Sequence, residues 1–116
     1  MNWHNLTDTA QIEEIKEDSK DRPVLVFKHS TRCSISSMAL NRLERKWNDS
    51  EMDGLMPYYL DLVRYREVSN EVAQAFGIAH ESPQVLLISN GECVYHTSHT
   101  GISYPDLKGK FDSLPG

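Results

Sequence analysis

The chain has 116 residues, 39% of them apolar and 25% charged, with a formal net charge of −5. That length suits one compact domain spanning 1–116 and is too short for two. The acidic balance argues against a nucleic-acid partner, which would select clustered Lys and Arg, and no apolar run approaches the roughly 18 residues of a membrane span. The opening residues Met1–Leu6 lack both a basic and an apolar signal region, so the expected location is the cytoplasm.

The elements are readable in chain order. Ile12 and Ile15, set among acidic residues, suggest a first helix starting near Thr7 or Thr9, both good N-cap types. Asp21-Arg22-Pro23 ends it. Val24-Leu25-Val26-Phe27 is a continuous apolar, β-branched-rich run, which reads as a strand buried on both faces. From Ile35 the period becomes helical. Ile35, Met38, Ala39, Leu43 and Trp47 form the apolar face, with Asn41, Arg42, Glu44, Arg45 and Asn48 opposite.

Asp53-Gly54 marks a turn, and Pro57–Leu62 has the aromatic and aliphatic content of a second strand. Val68, Val72, Ala75 and Phe76 make another amphipathic stripe, closed by Gly77 at a helix C′ position. Gln84–Ile88 and Glu92–His96 then flank Asn90-Gly91, a hairpin signal. Ser103 caps a last helix through Leu107 to Phe111. The βαβ half demands a right-handed crossover and a parallel pair, and the hairpin adds antiparallel strands on one side. The expected class is therefore α/β, a thioredoxin-like fold with a central mixed four-stranded sheet flanked by helices.

Only two cysteines are present, Cys33 and Cys93. A disulfide scaffold usually has more. The histidines at 4, 29, 80, 96 and 99 are scattered, so no metal site is expected. Cys33 falls between a buried strand and the start of an amphipathic helix. The unpaired N–H groups and positive dipole of a first helical turn stabilise an anion there, and the thiolate is the reactive form. Arg32, Lys28 and His29 are expected to add positive potential. A buried, inert cysteine is the alternative, which the polar neighbours Ser30, Thr31, Arg32, Ser34 and Ser36 oppose.

Cys33 is the candidate catalytic residue. Ser36 stands where a dithiol motif would place its second cysteine, giving Cys-x-x-Ser, so a mixed disulfide on Cys33 needs an external thiol to resolve it. Cys93 reads as a strand cysteine packed like a small hydrophobe, with a resolving role as the rival reading. Ser82-Pro83 precedes the third strand; in thioredoxin-like folds a cis-proline at this point packs against the active cysteine. Arg32, Ser34, Ser36, Ser82 and Pro83 are the expected substrate-binding residues.

The stretch Phe27–Ser36 resembles the active-site segment of the monothiol bacilliredoxins, whose usual core is Thr-Cys-Pro-Ile-Ser. Val68-Ser69-Asn70, Gly77–Val85 with its His80-Glu81-Ser82-Pro83-Gln84, and His96-Thr97-Ser98-His99 are similar to further blocks of that family. The resemblance runs from about Val24 to Ile102. It implies a thiol–disulfide oxidoreductase that removes bacillithiol from S-bacillithiolated cytosolic proteins through a Cys33 mixed disulfide. Bacillithiol would be co-substrate, with no tightly bound cofactor. Two departures stand out: Ser34 replaces the usual proline, which loosens the helix start, and Arg32 occupies a site that is often small or polar. A reductase using another small thiol and a redox-silent binding module are the competing readings.

Overall fold

The computed structural model describes residues 1–115. Its elements, in chain order, are β1 (His4–Asn5), α1 (Ala10–Asp18), β2 (Val24–His29), α2 (Ser34–Lys46), β3 (Met56–Asp61), α3 (Arg66–Phe76), β4 (Gln84–Ser89), β5 (Glu92–Ser98), a 3₁₀ turn (His99–Gly101) and α4 (Tyr104–Asp112). The sheet has five strands in the order β1-β3-β2-β4-β5, not the four expected from sequence. β1 and β2 both run parallel to β3, whereas β4 is antiparallel to β2 and to β5.

β2 is central because it is apolar on both faces, and all six of its residues are buried. Alternation along a strand sends successive side chains to opposite sides. Val24 and Val26 join Leu86 and Ile88 under α1 and α3, with Ile12, Ile15, Val68 and Val72. Leu25 and Phe27 join Val85 and Leu87 under α2 and α4, with Ala39, Leu43 and Leu107. Each such fully buried aliphatic or aromatic side chain contributes roughly 1.5–3 kcal/mol of transfer free energy.

The turns follow their residues. Gly77 takes φ +66° at the end of α3, and its N–H caps the Ala73 carbonyl. Asn90 and Gly91 both have positive φ (52° and 77°), which is what a tight hairpin of this twist requires. Ser103 Oγ caps α4 by accepting from the Asp106 N–H. α1 departs from its expected cap: Thr9 contributes no side-chain bond, and Asp8 Oδ1 instead accepts the Ala10 N–H at 2.9 Å.

α2 also departs from expectation. Ser36, Ala39 and Leu43 are its buried residues, while Ile35 and Met38 are 55% and 64% exposed. The buried arc of the helix is displaced toward Ser36, which leaves the first two apolar residues outside the core.

Candidate active site

The site lies where β2 and β3 end and β4 begins. β2 stops at His29, whose carbonyl accepts the Leu62 N–H at 3.0 Å. The chain then turns through Ser30–Cys33, closed by Cys33 N–H donating to the Ser30 carbonyl at 3.2 Å. Cys33 is the N-cap of α2, with extended backbone (φ −116°, ψ 119°), and its own carbonyl accepts the Ser37 N–H at 3.1 Å. Its thiol makes no capping bond and the residue is half-buried. No carboxylate lies in the first turn of α2, so the free N–H groups of that turn face the thiol's side without a competing anion.

Ser34 is exposed as the first helical residue, and Arg32 is exposed in the turn, outside every ion pair among the described residues. Ser36 is different. It has no accessible surface, its Oγ lies 2.7 Å from His29 Nδ1, and it accepts the Ser30 N–H at 3.1 Å. Its placement among the substrate-binding residues is therefore corrected: Ser36 positions the loop that carries Cys33 and is closed to substrate. One turn into a helix packed on the sheet, its side chain points inward.

His29 sits between Phe27 and Tyr59, with ring centroids 6.3 and 5.6 Å away. Burial pushes its imidazole below the ordinary histidine range, against the opposing pull of Asp61 and Glu44. A neutral ring satisfies Ser36 when Nδ1 accepts the Ser36 hydroxyl proton while Ser36 Oγ accepts from Ser30.

Lys28 turns to the other side of the sheet, so its expected contribution beside Cys33 is also corrected. It has no accessible surface. Nζ donates to the Ser69 carbonyl at 3.1 Å and to His80 Nδ1 at 3.3 Å. Burial pushes its pKa down to about 8. His80 is held below the usual histidine range, first by burial and then by Lys28 and Arg66. Ser69 Oγ also reaches His80 Nδ1, at 3.3 Å. Gln84, opposite Lys28 in the β2–β4 ladder, donates from Nε2 to the Ala79 carbonyl at 3.1 Å. Lys28, Ser69 and Gln84 thus moor the 77–83 segment to β2 and α3. Sequence reasoning missed this anchor, although a lysine continuing an all-apolar strand was its signal.

That anchor bears on Ser82 and Pro83. The Ser82-Pro83 bond is cis. Because Lys28 pairs with Gln84, the next step of the ladder sets Pro83 beside His29, at the same end of the sheet as Cys33. Pro83 is buried, and its carbonyl accepts the His99 N–H at 3.0 Å. Ser82 Oγ is buried and has no partner among the described residues. The structure thus gathers Arg32, Cys33, Ser34, Ser82 and Pro83 at one end of the sheet.

Cys93 lies elsewhere. It pairs with Ile88, which pairs with Val24 at the opposite end of β2. Five strand steps of about 3.3 Å separate that end from His29, far beyond the roughly 7 Å between Cα atoms that a disulfide allows. Its Sγ donates to the Tyr95 carbonyl at 3.3 Å, and burial pushes the thiol up from its ordinary value. Among the described residues no group of three or more His, Cys, Asp or Glu could hold a metal ion. No described helix is long and apolar enough to cross a membrane.

Solved proteins share this fold. A solved thioredoxin-fold protein described as a candidate oxidoreductase is 31% identical, with a TM-score of 0.79 over 94% of this chain and 92% of that one. The thioredoxin of Fasciola hepatica superposes with a TM-score of 0.71 at 16% identity, covering 94% of this chain and 96% of the other. That of Malassezia sympodialis gives 0.74 at 14% identity, covering 96% and 89%. These two establish the thioredoxin fold. The sequence profile of the family described as "Monothiol bacilliredoxin BrxC" matches residues 4–107. With a half-buried thiol heading α2 and a buried serine three residues on, the chain belongs to the monothiol bacilliredoxin family of thioredoxin-fold oxidoreductases.

Proposed function

We propose that the protein is a cytoplasmic monothiol oxidoreductase that removes bacillithiol from S-bacillithiolated proteins. Cys33 thiolate attacks the bacillithiol sulfur of the client's mixed disulfide. The client–bacillithiol S–S bond breaks, a Cys33–bacillithiol bond forms, and the client cysteine leaves as a thiolate that takes up a proton. A second thiolate from solution then attacks the bacillithiol sulfur, releasing Cys33 and carrying bacillithiol away as a small disulfide. The client cysteine is reduced and the incoming second thiol is oxidised, bacillithiol sulfur stays at the disulfide level throughout, and the protein ends unchanged.

The observation that carries this reading is the oxygen at position 36. The place from which a resolving sulfur would attack holds a buried hydroxyl already bonded to His29 and Ser30, and Cys93 is at the far end of the sheet. In this reading the substrate is contacted by Arg32 and Ser34, the sequence neighbours of Cys33, and by Ser82 and Pro83 at the same end of the sheet. Intact mass spectrometry after exposure to oxidised bacillithiol, and separately to oxidised glutathione, tests it. The expected result is a bacillithiol adduct on Cys33 that persists until an external thiol is added. Preferential adduct formation with glutathione would transfer the reading to another small thiol, and absence of any adduct would overturn it.

A further inference from the structure

The solvent face of α2 is chemically uneven. Ile35 and Met38 are two of only three large apolar side chains exposed among the described residues, and they lie within the first two turns after Cys33. Spacing of three or four residues continues this stripe to Arg42 and Arg45. Met38, Asn41, Arg42 and Arg45 line one depression of about 370 Å³. Arg42 is held in place by donating from Nη2 to the Ile102 carbonyl at 2.9 Å.

The charge of this face opposes that of the molecule. Between positions 31 and 48 stand Arg32, Arg42, Arg45 and Lys46 against the single carboxylate Glu44, in a chain whose formal charge is −5. Glu44 is engaged elsewhere, accepting from Trp3 Nε1 at 2.9 Å. None of the four cations enters an ion pair among the described residues, whereas Lys16, Lys20 and Lys108 each do. A cationic, partly apolar strip beginning at the reacting thiol is complementary to an acidic partner.

We propose that this face of α2 is the docking surface for client proteins carrying acidic residues at a set distance from their modified cysteine. The distance follows from the helix. Arg42 and Arg45 lie nine and twelve residues beyond Cys33, or about 14 and 18 Å at 1.5 Å per residue. An extended client spans that in roughly four to six residues, with Ile35 and Met38 meeting the intervening apolar side chains. The proposal rests on Cys33 being the reacting thiol, and not on which small thiol it accepts.

The test uses two single-cysteine peptides, identical except for three Glu or three Lys starting four residues from the cysteine. Each carries its cysteine as a mixed disulfide with 5-thio-2-nitrobenzoate. On the Cys93→Ser protein, Cys33 attacks the peptide sulfur, forms a Cys33–peptide disulfide and expels the coloured aryl thiolate. No bacillithiol is involved, so the result is independent of the proposed substrate. The expected outcome is that the Glu peptide reacts about five- to tenfold faster at low salt. The gap should close at roughly 0.5 M salt, and the order should reverse in Arg45→Glu/Lys46→Glu. Equal rates for the two peptides, or a preference that survives both salt and charge reversal, overturns the proposal.

Discussion

Ser36 Oγ stands 2.7 Å from His29 Nδ1 and takes the Ser30 N–H at 3.1 Å, so one hydroxyl ties the end of β2 to the first turn of α2. The loop between those two anchors is the one that carries Cys33. Ser36→Ala removes both bonds and leaves the half-buried Ser30 N–H and the buried His29 ring nitrogen unpaired. Each such orphan costs about 1–3 kcal/mol. Chemical denaturation should show a loss of that order in Ser36→Ala, with Cys33 still forming its adduct. A variant as stable as the parent would show that the hydroxyl holds nothing.

Ser36→Cys probes the same place from the opposite side. A sulfur there lies three residues from Cys33 on the same helix, as in a dithiol motif. The Cys33–bacillithiol adduct should then collapse to an internal disulfide between Cys33 and the introduced thiol, releasing bacillithiol. Intact mass should show the bridged protein in place of the adduct. Persistence of the adduct would mean that burial at position 36 blocks attack.

Lys28 gives the protein a measurable pH signature. Its folded pKa of about 8 lies below the ordinary lysine value of 10.5, so the unfolded chain binds the proton more readily. Below about 8 both states are protonated and the burial penalty is complete; between about 8 and 10.5 it is relieved as pH rises. Over that window the parent should gain up to about 3 kcal/mol relative to Lys28→Met, since one pKa unit is about 1.4 kcal/mol. Subtracting the two curves cancels Tyr58, Tyr59, Tyr95, Tyr104 and Cys93, whose pKa values burial raises and which therefore act in the opposite sense. On the acid side His29 and His80 are both lowered, so stability should fall as pH drops below about 6.5. A pH-independent difference between parent and Lys28→Met would refute the role given to Lys28.

Much of this was legible in the residues, and the misses have physical causes. Asn90-Gly91, Gly77 and Ser103 are backbone requirements written in side-chain chemistry, and each fell where the sequence placed it. β1 was invisible because His4 and Asn5 pair only with Tyr58 and Tyr59, and two residues carry no period. Ile35 and Met38 matched a helical stripe, yet periodicity does not say which arc of α2 meets the sheet. The inward turns of Ser36 and Lys28 escaped for a related reason. Their partners, His29, Ser69 and His80, are supplied by tertiary contacts over separations of 7 to 52 residues.

The two thiols should separate cleanly by reactivity. Both are half-buried, but Cys33 heads a helix, whereas Cys93 is packed against the α1/α3 core with its thiol raised by burial. Limited alkylation at neutral pH, read by peptide mapping, should label Cys33 first. Cys33→Ser should abolish transfer, and Cys93→Ser should leave both transfer and the trapped adduct intact. A Cys33–Cys93 disulfide in the parent would contradict the sheet register, which sets them at opposite ends of β2.

Arg32 lies next to Cys33, exposed and outside any ion pair among the described residues. A guanidinium there can hold a carboxylate through two parallel N–H bonds, and bacillithiol carries a malate unit. Arg32→Lys keeps the charge and removes the fork, so it separates recognition from simple positive potential. If the fork binds, capture of bacillithiol from a client should slow about tenfold, the equivalent of one charge-assisted hydrogen bond. Reaction with a small neutral disulfide, which offers no carboxylate, should change far less. Stopped-flow rates for both substrates in the parent and the variant give the ratio directly. A ratio that stays constant would assign Arg32 to charge alone, because the lysine retains that charge at the same position in the turn.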